Sequence, residues 1–108
     1  MAQTYKVSGC NITTIDTYSG IYTCPASTTA MVNSVYIGNT GAGNTAVTMK
    51  FSDNSASQDS QLMTNVLVPE QATLQPFAAP LVLEQNDAIY AKDLSGFLHV
   101  VVSVLEIT

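Results

Sequence analysis

Short runs of β-branched and aromatic residues recur along this chain at intervals of roughly 8 to 12 residues, each closed by a cluster of Gly, Pro, Asn, Asp or Ser. The runs predict strands over Thr4 to Val7, Gly20 to Thr23, Ala30 to Gly38, Thr45 to Asp53, Leu62 to Val68, Thr73 to Phe77, Leu81 to Leu83, Ala88 to Lys92 and Phe97 to Ile107. No window of about 11 residues sustains a helical period. The expected fold is therefore all-β: one domain over residues 1–108, built as a sandwich or a barrel.

Alternation is cleanest around Val47, Met49 and Phe51, with Ala46, Thr48, Lys50 and Ser52 turned the other way, as a half-buried strand requires. Between this strand and its predecessor lies Asn39-Thr40-Gly41-Ala42-Gly43-Asn44, whose Gly and Asn residues accept positive φ. The expectation is a hairpin, with the two flanking strands paired. Asn54 to Ser60 is small and polar throughout and is expected to be a surface loop. Pro25, Pro69, Pro76 and Pro80 fall at strand ends or edges, where a missing amide costs little.

The C-terminal run breaks the simple pattern. Phe97, His99, Val101, Leu105 and Ile107 would share one face, and Leu98, Val100, Val102 and Val104 the other, so both faces are largely apolar. A strand of that kind must be covered twice, by its own core and by something else. In so small a domain the second cover is expected to be another subunit. Phe97, Leu98, Val100, Val101, Val102, Val104 and Leu105 are therefore the candidate interface residues, and register alone leaves open which face is which.

Composition adds to this picture. Hydrophobic residues make up 46% of the chain and charged ones only 10%, so hydroxyls and amides keep it in solution, a surface cheaper to desolvate than one of Lys and Glu. Net charge is −5, the only cations are Lys6, Lys50 and Lys92, and there is no arginine, which argues against nucleic acid as a partner. The longest apolar stretch, Phe97 to Ile107, is about half of the roughly 20 residues a membrane-spanning helix needs, so no membrane role is expected. Met1 is followed by no basic stretch and apolar run of a cleavable secretion signal.

Candidate chemistry is sparse. His99 is the only histidine, which removes His-paired nucleophiles and two-histidine metal sites; a hydrogen-bonded strand position is the expectation for it. Most of the eight carboxylates, Asp16, Asp53, Asp59, Glu70, Glu84, Asp87, Asp93 and Glu106, fall in predicted turns and read as solvated charge. Asp53, Ser55, Ser57 and Asp59 alternate like oxygen ligands in a calcium loop, but Gln58 stands where the glycine is needed and Thr64 where the bidentate glutamate is. An ordinary turn bonded to its own backbone fits better. Gly38 to Gly43 lacks the lysine and helix of a phosphate loop. Tyr5, Tyr18, Tyr22, Tyr36 and Tyr90 could offer platforms for sugars, against which core or interface packing is the simpler use. Cys10 and Cys24 are expected as buried thiols rather than a disulfide. No enzyme, cofactor or metal is expected.

Three stretches, Ile21 to Ala30 (Ile-Tyr-Thr-Cys-Pro-Ala-Ser-Thr-Thr-Ala), Ser34 to Thr40 (Ser-Val-Tyr-Ile-Gly-Asn-Thr) and Pro80 to Ile89 (Pro-Leu-Val-Leu-Glu-Gln-Asn-Asp-Ala-Ile), together with Val68-Pro69 and Val100 to Ile107, resemble small accessory virion proteins of tailed phages. The likeness runs through roughly residues 20 to 107. It implies a β-sandwich of jelly-roll type serving as a capsid decoration (cement) protein, often a homotrimer, or as part of the neck, tail or a fibre. The partners implied are copies of itself and the major capsid protein or another virion protein, and the location is the virion, assembled in the host cytoplasm. A carbohydrate- or receptor-binding sandwich module is the alternative. Gln85-Asn86 and Glu70-Gln71 depart from the Ala-Gly pairs such turns carry; Asn tolerates the left-handed region, so the first turn is expected to survive.

Overall fold

The computed structural model describes residues 3–13, 15–75 and 80–108. They form nine strands: β1 (Gln3–Asn11), β2 (Ser19–Thr23), β3 (Thr29–Asn39), β4 (Thr45–Asp53), β5 (Gln58–Val68), β6 (Thr73–Leu74), β7 (Leu81–Leu83), β8 (Ala88–Asp93) and β9 (Leu98–Ile107). Two antiparallel sheets pack together as a β-sandwich. The first has the order β1-β9-β3-β6, with β7 also on β3; the second has the order β2-β8-β4-β5. The expected strand over Thr73 to Phe77 keeps only Thr73–Leu74, and its Pro76 and Phe77 lie outside the described residues.

The hairpin expected at Asn39 to Asn44 does not form. β3 pairs with β6, β7 and β9, while β4 pairs with β5 and β8, so this turn carries the chain from one sheet to the other. Both strands have one apolar face, and crossing sets those faces opposite each other across the core, where pairing would lay them side by side. Buried Asn39 holds the crossing: its amide nitrogen donates to the carbonyls of Gly43 (2.8 Å) and Val68 (3.1 Å), and its Oδ1 accepts from the Gly41 amide (2.9 Å).

The surface loop expected from Asn54 to Ser60 shrinks to a four-residue turn, because Gln58, Asp59 and Ser60 pair with Asp53, Ser52 and Phe51. Asp53 Oδ1 accepts the Ser55 hydroxyl (2.9 Å) and the Ala56 amide (3.3 Å), the local bonding that favours a turn over a cation loop. Asp59 is bound instead to Lys50 Nζ at 2.8 Å. At the β7–β8 turn Asn86 takes φ 66°, the left-handed conformation its side chain tolerates.

The core is drawn from both sheets. Val32, Val35, Ile37, Leu98, Val100, Val102 and Val104 face Ile21, Val47, Met49, Ile89 and Ala91. A register shift between Val32 and Ser34 lets Asn33 bulge outward and restores the inward phase at Val35 and Ile37. Three carboxylates depart from the solvated role expected of them. Asp87 is buried and accepts the Asn54 and Glu84 amides, both at 2.9 Å. Buried Asp93 accepts the amides of Gly96 and Phe97, and so shapes the β8–β9 turn. Buried Glu106 accepts the Tyr22 hydroxyl and pairs with Lys6 Nζ at 3.0 Å, joining β9, β2 and β1. Each is satisfied, as a charge withdrawn from water must be.

Candidate interaction surface

Strand β9 alternates strictly between buried and accessible residues, and this separates its two apolar faces. Leu98, Val100, Val102 and Val104 are at most 1% exposed and belong to the domain's own core. These four leave the candidate interface set: their second cover is the opposite sheet, and no other subunit can reach them. Val101 and Leu105 point outward. Phe97 precedes the strand, and its ring lies over Gly41, where an added Cβ would stand 2.3 Å from the ring edge. Thr40 fixes that arrangement, its hydroxyl donating to the Phe97 carbonyl at 2.8 Å.

Register then extends the outward face across the first sheet. Tyr5, Leu105, Met31 and Val82 form one row over four strands, and Gly9, Val101 and Tyr36 form a second. A polar row of Ser103 and Ser34 lies between them, with Val7 at its β1 end. Tyr5 and Val7 are 77% and 73% exposed, the highest values among the described large hydrophobic residues. Lys6 and Glu106 turn to the inner side, so no Asp, Glu, Lys or Arg of β1, β3, β7 or β9 projects from this face. His99 lies exposed at its far end, opposite Asn11 and Gly38. A monomer seldom leaves so broad an uncharged apolar face in water.

Val7, Met31 and Val82 were not singled out as interface from the sequence, and Tyr5 and Tyr36 only shared with the other tyrosines the expectation of core or interface packing. They lie on three strands distant along the chain, and only strand pairing brings them together. Tyr5 and Val7, alternating with Thr4 and Lys6, carried a local signal; Met31 and Val82 carried none.

The outer face of the second sheet is different in kind. Lys50 Nζ lies 4.3 Å and Lys92 Nζ 4.8 Å from the centre of the Tyr18 ring, while Asp59 and Asp16 neutralise the two lysines at 2.8 and 3.3 Å. The Tyr90 ring covers Gly20 on the neighbouring strand, 3.6 Å from where a Cβ would stand. With Tyr22 bonded to Glu106, three tyrosines are engaged inside the chain, and Tyr5 and Tyr36 are the two open rings. A sugar would have to displace ammonium groups to stack on Tyr18.

Both cysteines are free. Burial pushes the Cys24 thiol above its ordinary pKa, with Glu106 and Asp87 adding to the rise, and its Sγ lies 3.2 Å from the Thr28 carbonyl. That is the environment of an inert structural thiol. Among the described residues no three of His, Cys, Asp and Glu gather as metal ligands, and no helix is long and apolar enough to cross a membrane.

No protein-family model, curated protein or solved structure matches this chain.

Proposed function

We propose that this chain is a structural protein of a phage virion, a capsid decoration (cement) protein that associates with copies of itself and with the assembled shell. The observation that carries the reading is the uncharged outer face of the first sheet, with its two apolar rows centred on Leu105 and Val101. Desolvating it costs no ion hydration, and about 25 cal/mol is gained for each Å² of apolar area covered. The strand orders β1-β9-β3-β6 and β2-β8-β4-β5, with the chain crossing repeatedly between sheets, support the jelly-roll form of sandwich that the sequence resemblance implies.

The mechanism is mass action. A protein that binds the assembled shell and not its free subunits shifts the equilibrium toward assembly by its binding free energy. Co-sedimentation with assembled shells and with unassembled capsid subunits of the phage that encodes the chain tests this. Retention on shells alone is the expected result, and equal or absent binding to both refutes the reading.

A further inference from the structure

We propose that β1 joins two copies of this chain edge to edge, antiparallel, about a two-fold axis at Val7. The inference deepens the self-association in the reading above and gives it a two-fold form in place of the homotrimer that the resemblance implies.

Four features of the fold lead to β1. Among the described residues it pairs only with β9, over nine consecutive residues and without a register shift, so its other edge is a straight row of backbone donors and acceptors. The remaining sheet edges carry the devices that blunt such rows. β5 has two register shifts, with Asn65 at φ 48°, β2 is five residues long and shifted, and β6 and β7 have two and three residues. The only charge on β1, Lys6, is neutralised by Glu106 at 3.0 Å, with about half of its side chain left exposed. Tyr5 and Val7, the most exposed large hydrophobic residues described, both lie on it.

The register follows from the side chains. With the axis at Val7, all nine residues pair: Val7 meets Val7 of the partner subunit, Gln3 meets Asn11, and Tyr5 meets Gly9. Gly9 leaves room for the ring, since a Cβ there would have only the Val100 carbonyl oxygen, 4.0 Å away, near it. The chain uses the same pairing internally, where Tyr90 covers its antiparallel partner Gly20. On the inner face Lys6 meets Ser8. Moving the axis to Lys6 would oppose two ammonium groups, and moving it to Ser8 would set Tyr5 against Asn11 and shorten the ladder.

Nine residues make an edge about 30 Å long and about 10 Å tall. Two Tyr5 rings of about 150 Å² or more each bring the total to on the order of 900 Å², close to the roughly 1,000 Å² at which specific interfaces begin. The pair is therefore expected to form and dissociate with concentration rather than to be permanent.

Light scattering during size exclusion, from about 1 µM to about 1 mM protein, should show a monomer passing into a dimer. Gly9→Val, which adds bulk where the partner's ring would lie and none that the monomer must accommodate, should weaken the dimer about tenfold or more at unchanged melting temperature. Val7→Cys in a Cys10→Ser background should close an interchain disulfide on mild oxidation, since directly opposed antiparallel residues stand about 4.5 to 5.5 Å apart at Cα. Val101→Cys in the same background, two strands' width from the partner, should not. A monomer or trimer at every concentration, an unaffected Gly9→Val dimer, or equal cross-linking of the two cysteine variants overturns the proposal. Shell binding by a strict monomer would overturn it, and with it the self-association in the reading above, while leaving the shell-binding role intact; a dimer that ignores shells would support the pairing and refute that role.

Discussion

The hydroxyl of Tyr22 on β2 donates to the carboxylate of Glu106 on β9, a hydrogen bond that ties the second sheet to the first. The same carboxylate holds Lys6 of edge strand β1 at 3.0 Å. Where β1 and β2 run beside each other, a polar contact thus fastens the sandwich.

This contact has a defined dependence on pH. The Tyr22 hydrogen bond, and after it the Lys6 ammonium, hold the Glu106 carboxyl below the ordinary carboxylate range. A depressed folded pKa means that the stabilisation is fully present above the unfolded value of about 4.3. It is lost as pH falls through the lower folded value. Melting temperature should therefore drop as pH is lowered from about 5 to about 3, and Glu106→Gln should remove part of that slope. Tyr22→Phe, which leaves the buried carboxylate one donor short, should cost about 1 to 3 kcal/mol at neutral pH and move the acid limb to higher pH.

The two faces of β9 should respond oppositely to the same substitution. Val102→Asp puts a carboxylate into the core with no partner, and should prevent folding, as circular dichroism would show. Val101→Asp lies on the outer face and should leave stability within about 0.5 kcal/mol. Its effect should appear in co-sedimentation, as weakened retention on shells.

Gly41 and Phe97 should prove energetically coupled. A Cβ at Gly41 would overlap the ring, which is half exposed and can swing away. Gly41→Ala is expected to cost about 1 to 3 kcal/mol alone and markedly less in a Phe97→Ala background. Denaturant melts of the four proteins give the coupling directly.

The thiols offer a check on the inner packing. Native alkylation should spare Cys24, which is fully buried with its pKa pushed up, and modify it only after unfolding; non-reducing mass spectrometry should show no bridge to Cys10.

All nine strands were legible in the sequence because each is a local event: a β-branched or aromatic run closed by turn residues. The longest gains, Ser8 to Asn11 of β1 and Gln58 to Gln61 of β5, came from residues with little strand preference that are held by their ladders to β9 and β4. What the residues between Asn39 and Asn44 connect was not legible, since a Gly and Asn turn can close a hairpin or change sheets, and the choice depends on β9 and β5 arriving later in the chain. The same nonlocality divided the C-terminal run. Val101 and Val102 are chemically identical, and only the opposing sheet makes one core and the other surface. Buried Asp87 and Asp93 depart from the solvated role expected of them for a related reason: a carboxylate in a turn is solvated unless amides fold onto it. Here Asp93 takes those of Gly96 and Phe97 in its own loop, while Asp87 takes that of Glu84 in its own loop and that of Asn54 in the distant β4–β5 turn.

The central claim, that the outer face of the first sheet is an assembly surface, is tested most directly by locating the chain's density in the intact virion. The expected result is the sandwich on the particle with Tyr36, Val101 and Leu105 covered by a neighbouring subunit. A chain missing from the particle, or bound with that face open to solvent, would contradict it.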